Sequence, residues 1–263
     1  MGLHAQATAL LNFGDEDECY GIRLDPPPDD RGCSQGLAMM LHMMNESRIA
    51  TGHNANTQAA AAYYFASQFA TERIQGRPFG IKNAERVPII KHEDVRRMLL
   101  DMKAHVEGIR AMVFKAFYYL DIQANSSDRA RVRKFGVLAE ILTPMVKCYG
   151  SETCLEIISQ AIQILGGVGY TQEYPVEQYL RDSKILLIRE GTSFIHGNDL
   201  VGRKMRKCYL RKTAAQESDS SASWLFRHEK ILPLPRGIPL QNFFESSLHA
   251  RIKFFVFSRS MAI

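Results

Sequence analysis

One acidic residue of this chain stands where general-base chemistry could be done. Glu190 lies just after the apolar residues 186–188 and directly before Gly191 and Thr192. A carboxylate flanked by apolar side chains is poorly solvated, which would strengthen it as a base toward a weakly acidic C–H bond. A glutamate ahead of a helix N-cap is also a common surface feature, with Thr192 as the cap. The triplet alone does not decide between these interpretations.

A second candidate site is the group of glycines at Gly166, Gly167 and Gly169, which lies between a predicted helix end and a turn containing tyrosine. Without side chains, the backbone amides of such a segment can approach a ligand closely. The first two glycines are also what a helix C-terminus commonly requires. A cofactor-binding interpretation therefore needs support from elsewhere in the chain.

Metal, hydrolase and nucleotidase chemistry is not expected. His92 and Glu93 begin the segment HEDVR, but Arg96 occupies the place where HExxH needs its second histidine. The five cysteines are an odd number without a CxxC pair, which argues against a disulfide framework and a structural zinc site. The chain has neither a GxSxG segment nor a Walker loop.

Composition narrows the class of protein. With 263 residues and 46% hydrophobic content, the chain can bury a sizeable core. The net charge of +5 suits anionic partners, but charges of both signs are interspersed, so no nucleic-acid partner is expected. No apolar run approaches the roughly 18 residues of a membrane span, and the first residues lack the features of a signal peptide. We expect a soluble protein without an integral membrane segment, in the cytoplasm or an organelle matrix.

The elements that must position the candidate residues are helices. Apolar residues recur about every 3.6 positions from Val95 to Leu120, which predicts a long amphipathic helix. Ser151 reads as the N-cap of another helix that stops at the glycine pair. The predicted helices are 36–77, 91–120, 130–147 and 151–165, followed by shorter helices to about 188 and from about 194 to 212. Long helices with short connections favour a mainly α fold, an antiparallel four-helix-type bundle.

The two ends of the chain have another character. ATALLNF and CYGIRL read as short extended segments before the proline-rich linker DPPPDDRGCS, which suggests a short β remnant at the N-terminus. Two strands alone do not form a stable sheet, so they must pair elsewhere or their sheet is largely missing. We therefore expect a β remnant and linker at 1–34, a helical bundle at 35–212, and an irregular tail at 213–263 whose polar and proline-rich composition is typical of disorder.

The segment QILGGVGYTQEYPVEQYLRDSKILLIREGT, residues 163–192, resembles the C-terminal signature of the acyl-CoA dehydrogenases. It has the glycine pair, EYPVE, RD, KI and EGT in the order and spacing of that family. The likeness continues forward through GNDLVGRK and back to MMNESRIATG and ERIQGR. The first residues, GLHAQATALLNFGD, are similar to the last strands of the family's middle β domain. The resemblance thus covers about residues 2–212 and implies the family's C-terminal helical domain.

The resemblance implies an FAD-dependent enzyme that oxidises an acyl-CoA thioester to the trans-2-enoyl-CoA. Glu190 matches the base that removes the α-proton, while flavin N5 accepts a hydride from the β-carbon. Gly191 leaves space for the thioester, and Asn45 and Arg48 border the substrate. An aspartate is common in relatives at the position of Asn45, and Arg48 could instead be an ion-pair partner on the helix surface.

Some members of the family carry the base on the first long helix, directly before the arginine that matches Arg48. Ser47 occupies that position here and cannot act as the base. Glu46 is one residue earlier and points about 100° away around the helix. We therefore predict that Glu190, and not Glu46, is the base.

The resemblance also implies the cofactor contacts and the partners. Arg73 matches the arginine that reaches the flavin pyrophosphate, which suits a guanidinium group, and Gln75 follows at a second contact position. The segment against the adenine half is Gln163, Ile164, Leu165, Gly166 and Gly167, and Thr192 matches a flavin contact after the base. In this family Arg73 and the Gln163 segment serve the flavin held mainly by a neighbouring subunit. A homodimer or homotetramer and an electron-accepting flavoprotein partner are therefore expected.

A second hypothesis rests on the parts of the family's architecture that this sequence lacks. An acyl-CoA dehydrogenase usually has an N-terminal helical domain and a complete β domain, which together close over the flavin ring and exclude water. The sequence starts near the end of that β domain. The alternative hypothesis is therefore a truncated, non-catalytic helical module of acyl-CoA dehydrogenase lineage that serves in oligomerisation, and a fragment of a longer enzyme is an equally open interpretation.

Overall fold

Three long helices dominate the computed structural model, which describes residues 1–7, 9–14, 19–22, 24–28, 32, 34, 36–81 and 83–205. They are α1 (Gly36–Glu72), α2 (Glu93–Asn125) and α3 (Arg129–Leu165), and the shorter α4 (Val176–Ser183) and α5 (Ser193–Asn198) follow. The 3-10 helices are Ile89–Lys91, Gly166–Tyr170 and Lys184–Leu187, and Asp199–Met205 is a π-helix. The predicted mainly α fold is confirmed.

The long helices alternate in direction. Only residues 126–128 connect α2 to α3, so the two helices are antiparallel, and Gln160 Nε2 of α3 donates to Asp101 Oδ2 of α2 at 3.1 Å. Helices α1 and α3 run parallel, because Gly52 lies against Val146 while Ala59, two turns further along α1, is hydrogen-bonded through its backbone to Cys154. The C-terminal ends of α1 and α3 therefore lie at the same end of the bundle.

Small residues on α1 let the bundle close. Ala55, Ala59, Ala62, Ala66 and Ala70 recur every three or four residues and have no exposed surface. The larger core side chains come from the other two helices, among them Met102, Val106, Ile157 and Ile158. At Gly52 an added Cβ would lie 2.8 Å from the carbonyl oxygen of Val146, so α1 and α3 are close enough there for backbone contact.

The prediction of separate helices at 130–147 and 151–165 is wrong, because α3 is one continuous helix. Asp128 caps its start, with Oδ1 accepting from the Ala130 amide at 2.8 Å. Ser151 is not a cap: its hydroxyl donates to the carbonyl of Lys147, four residues back, at 2.8 Å. Gly150 is a poor helix former, but it packs against Gly52, and this tertiary contact outweighs its low propensity.

The β remnant expected at the N-terminus is not seen as strands, since the described residues among 1–34 contain none. The described part of the chain offers no neighbouring strand with which these segments could pair. The first residues instead contact α4: the Leu3 amide donates to Asp182 Oδ1 at 2.6 Å, and an Arg181 NH group donates to the Met1 carbonyl at 3.0 Å.

The chain divides into two compact units, Met1–His196 and a second that begins at Gly197. In the second unit, Asp199 forms ion pairs with Arg203 at 2.5 Å and with Lys204 at 3.4 Å. The predicted tail at 213–263 and the end of the last predicted helix lie outside the described residues. No helix in the described ranges is long and apolar enough to cross a membrane.

Candidate active site

The predicted base lies in a sharply turned loop, residues 187–191, called here the Glu190 loop. Glu190 has φ 60° and Gly191 has φ 101°, both in the left-handed region that glycine tolerates and other residues rarely adopt. The Glu190 side chain is half-buried. Of the apolar residues expected to shield it, Leu186 is buried in the core whereas Ile188 is 53% exposed. The predicted apolar flank is therefore incomplete, since one of its members faces solvent.

Helix α1 holds the carboxylate and the backbone of Glu190. The Ser47 hydroxyl donates to Glu190 Oε1 at 2.9 Å, so the residue in the alternative base position supports the predicted base. Arg48, 4% exposed, donates from Nε to the Glu190 carbonyl oxygen at 3.3 Å. His196 Nε2 is 3.1 Å from the same oxygen. Glu46 is exposed, so the structure brings Glu190 and not Glu46 into this cluster.

Helix α3 contributes a residue that sequence reasoning missed. Lys147 has no exposed surface, and its ammonium group donates to the Leu187 carbonyl oxygen at 3.1 Å and to the Gly191 carbonyl oxygen. It stands on the buried stripe of α3, four residues after Thr143 and seven before Cys154. A lysine at helical spacing among buried residues was the sequence signal that could have found it.

Charge and burial act together on Lys147. Burial lowers the pKa of Lys147 to about 8, and Arg48 acts in the same direction. Cys148, Glu152 and Glu190 oppose this shift by favouring the cation. With a pKa near 8, most copies of the chain carry the ammonium form at neutral pH.

Asn45, one of the residues predicted to border the substrate, has an acceptor that the described residues leave unsatisfied. Its Oδ1 is buried and has no hydrogen-bond partner among them. Asn45 is one turn before Arg48 on α1, so both side chains lie on the same side of the helix. A buried acceptor without a donor costs free energy, which makes Asn45 a natural site for a donor from a ligand or a further segment.

Arg73 and Gln75 lie just beyond the end of α1, and both are exposed. Arg73 Nε donates to Gln75 Oε1 at 3.3 Å. The backbone amide of Gln75 donates to the backbone carbonyl of Val87 at 3.0 Å, and the backbone carbonyl oxygen of Gln75 is 2.8 Å from His92 Nε2. The two polar side chains are thus presented to solvent from a short backbone segment that is held in place.

The predicted adenine-side segment ends α3. Gln163, Gly166 and Gly167 are exposed, and a Cβ added at either glycine would meet nothing within 4 Å. Ile164 and Leu165 are each 5% exposed and belong to the core, so only their backbone could meet a cofactor. Within the described residues, no group of His, Cys, Asp or Glu side chains could hold a metal ion.

The predicted site residues form two groups at different ends of the bundle. Arg48 is near the start of α1 and Arg73 follows its end, about 38 Å along the helix axis at 1.5 Å per residue. On α3, Lys147 and Gln163 are about 24 Å apart by the same measure. Thr192, exposed and directly before α5, belongs with the Glu190 group. One chain therefore does not bring the base and the adenine-side residues together.

The profile of the acyl-CoA dehydrogenase C-terminal domain matches residues 34–205. The chain belongs to the acyl-CoA dehydrogenase family. Butyryl-CoA dehydrogenase of Syntrophomonas wolfei is 39% identical over 227 residues, which are 85% of this chain and 37% of that protein. The 3-methylmercaptopropionyl-CoA dehydrogenase of Ruegeria pomeroyi is 38% identical over 205 residues, 78% of this chain and 33% of that protein. The chain spans about a third of the length of these acyl-CoA dehydrogenases.

A solved acyl-CoA dehydrogenase has the same fold. The structure of the acyl-CoA dehydrogenase from Bacillus anthracis complexed with FAD aligns with a TM-score of 0.57 at 24% identity. The alignment covers 71% of this chain and 31% of that chain. The helices described above are therefore the C-terminal part of the acyl-CoA dehydrogenase fold.

Proposed function

We propose that this chain acts in the FAD-dependent oxidation of an acyl-CoA thioester to the trans-2-enoyl-CoA, with Glu190 as the base that removes the α-proton. The observation that carries the proposal is the support of Glu190. Its carboxylate accepts a hydrogen bond from Ser47 at 2.9 Å, and its backbone is held by α1 and α3 in a left-handed turn. A base fixed in one orientation is what proton abstraction from carbon requires.

The residues at the other end of the bundle fit the adenine half of FAD. The exposed Arg73 guanidinium has the geometry that suits a pyrophosphate, and the side-chain amide group of Gln75 lies beside it. Above Gly166 and Gly167 there is room for a planar group to approach the backbone. Bound FAD would supply the acceptor for the hydride from the substrate's β-carbon.

The separation of the two groups supports an oligomer. The base and the adenine-side residues are about 24 to 38 Å apart along the bundle, too far for both to serve one dinucleotide from the same chain. A second copy of the chain, in a homodimer or homotetramer, would supply the missing half of each site. Reduced flavin must be reoxidised, and the partner we propose for that step is an electron-accepting flavoprotein.

Two side chains near Glu190 are proposed to border the acyl-CoA. Asn45 carries the buried acceptor that lacks a donor among the described residues, and Arg48 lies one turn away. Gly191 has no side chain to obstruct the thioester next to the base. The acyl chain itself would be enclosed by other segments, so these residues bear on orientation and not on chain length.

The test is anaerobic bleaching of the flavin absorbance of the purified chain by butyryl-CoA. We expect Glu190→Gln to slow bleaching by at least about 10²-fold without loss of bound flavin, because the amide cannot accept the α-proton. The matched control is Glu46→Gln, the same change at an exposed position of α1, which should bleach like the unaltered chain. Bleaching at full rate in Glu190→Gln would contradict the assignment. A colourless oligomer would instead favour the non-catalytic helical module.

A further inference from the structure

Burial of the α3 lysine lowers the stability of this fold. Lys147 has no exposed surface, and removing an ammonium group from water costs free energy unless hydrogen bonds and charges compensate. Its lowered pKa, about 8 against an ordinary value of 10.5, reflects incomplete compensation, since burial is the largest cause. A methionine at this position would fill similar space without that cost. The fold therefore keeps a destabilising cation at the level of the predicted base.

The contacts of Lys147 indicate what the cation does. Its Nζ donates to the carbonyl oxygens of Leu187 and Gly191, the first and last residues of the Glu190 loop. One side chain thereby ties together the two ends of a five-residue segment. The turn between these ends includes Glu190 at φ 60°, a conformation that persists in a residue other than glycine only when its surroundings impose it.

We propose that Lys147 is a positioning residue: its ammonium group joins the two ends of the Glu190 loop and thereby holds Glu190 in the left-handed turn that aims its carboxylate. The inference rests on the proposed function only in one respect, namely that the carboxylate is directed at a substrate. The structural part, that Lys147 fixes the loop, can be tested without substrate or flavin. The Lys147 ammonium group donates to backbone carbonyls of the loop, so we assign it a role that acts through Glu190 and not on the reacting atoms.

The environment of Lys147 makes its hydrogen bonds to the loop dependent on pH. The groups that act on it are Arg48 of α1, Cys148 and Glu152 of α3, and Glu190 of the loop. Of these, only Arg48 disfavours the cation. Opening of the loop returns Lys147 to water, where its pKa is ordinary, so above about pH 8 the open loop keeps a proton that the closed loop has lost. Closure of the loop should therefore become more favourable as the pH rises through about 8.

Hydrogen exchange of two amides reports on the loop directly. The Ile188 and Arg189 amides donate to the Ile185 carbonyl at 3.0 and 2.9 Å, and both open when the loop moves. In Lys147→Met we expect these amides to exchange at least about tenfold faster, while core amides of α2 change by less than about twofold. The matched control is Lys134→Met, the same change at an exposed position of the same helix, which should exchange like the unaltered chain.

The unaltered chain supplies a second measurement that needs no variant. Between pH 7 and pH 9, protection of the Ile188 and Arg189 amides relative to an unstructured peptide should rise about fivefold, and in Lys147→Met it should stay constant. Unchanged exchange at these amides in Lys147→Met would overturn the proposal, and so would an equal increase throughout α2. A constant protection with pH in the unaltered chain would also overturn it. If Glu190→Gln still bleached, the proposed function would fail while the exchange result stood.

Discussion

At the scale of single residues, the candidate site depends on backbone geometry as much as on a carboxylate. Glu190 and Gly191 follow each other in the left-handed region, and side chains from two helices hold them there. Ser47 then fixes one carboxylate oxygen. The orientation of the predicted base is therefore a product of contacts with residues more than 40 positions away in the sequence.

The first prediction concerns Gly191. We expect Gly191→Ala to lower the free energy of unfolding by about 2 kcal/mol, because alanine is strained at φ 101°. Its Cβ would also lie 3.3 Å from His196 Nε2. Gly167→Ala is the control, because Gly167 has no positive φ and its Cβ would have open space, and it should change stability by less than about 0.5 kcal/mol. Urea unfolding measures both, and equal stabilities for the two variants would contradict the geometry.

At the scale of elements, the contact between α1 and α3 decides where the site residues lie. The parallel pair brings Ser47 and Arg48 of α1 beside Lys147 of α3. The closest approach is at Gly52, where α1 lies against the backbone of Val146. This close contact sets the level of the Glu190 loop between the helices.

The second prediction tests that contact. Gly52→Ala would place its Cβ 2.6 Å from Val146 Cγ1 and 2.8 Å from the Val146 carbonyl oxygen, so we expect a loss of about 2 kcal/mol of stability despite the better helix propensity of alanine. Gly136→Ala is the matched helical control, since its Cβ would meet only the movable amide end of Gln123, at 3.0 Å. That variant should stay within about 1 kcal/mol of the unaltered chain. Thermal unfolding that ranks the two variants in the opposite order would refute the close packing.

At the scale of the whole molecule, the separation of the two groups of site residues is the basis of our proposal that two chains share their sites. We propose that each site takes Glu190 from one chain and Arg73 from the other. In a mixed dimer of a Glu190→Gln chain and an Arg73→Ala chain, one site then has both substitutions and the other site has neither. We expect co-folded mixtures to regain about a quarter of the bleaching rate of the unaltered chain, because half of randomly assorted dimers are mixed. Each variant alone should be impaired. No recovery on mixing would place both residues at a site within one chain.

The pH dependence of stability is also a property of the whole molecule. Lys147 has a folded pKa of about 8, so between about pH 8 and 10.5 the unfolded chain holds a proton that the folded chain lacks, and stability rises with pH. Burial raises the pKa values of Cys148 to about 11, Cys154 to about 12 and Tyr149 to about 12. From about pH 8 the unfolded thiols lose protons that the folded thiols keep, so the thiol contribution to stability falls.

From these groups we expect stability to change little from pH 8 to pH 9, because a gain of about 1 kcal/mol from Lys147 is largely offset by a loss of about 0.7 kcal/mol from Cys148 and Cys154, and then to decline. Urea unfolding at a series of pH values measures the curve. In Lys147→Met the gain is absent, so stability should already fall between pH 8 and pH 9. The same profile in that variant as in the unaltered chain would show that Lys147 contributes no such gain.

The sequence by itself determined the helical class, the family and the identity of the candidate base. The 3.6-residue recurrence of apolar residues and the ordered motifs of 163–192 are local patterns, and local patterns can be read without coordinates. The structure alone decided that α3 is continuous through Gly150 and Ser151, that Lys147 joins the ends of the Glu190 loop, and that Ser47 donates to Glu190. These features depend on side chains that are distant in the chain and meet only when the helices pack, and no local propensity encodes which of them will touch.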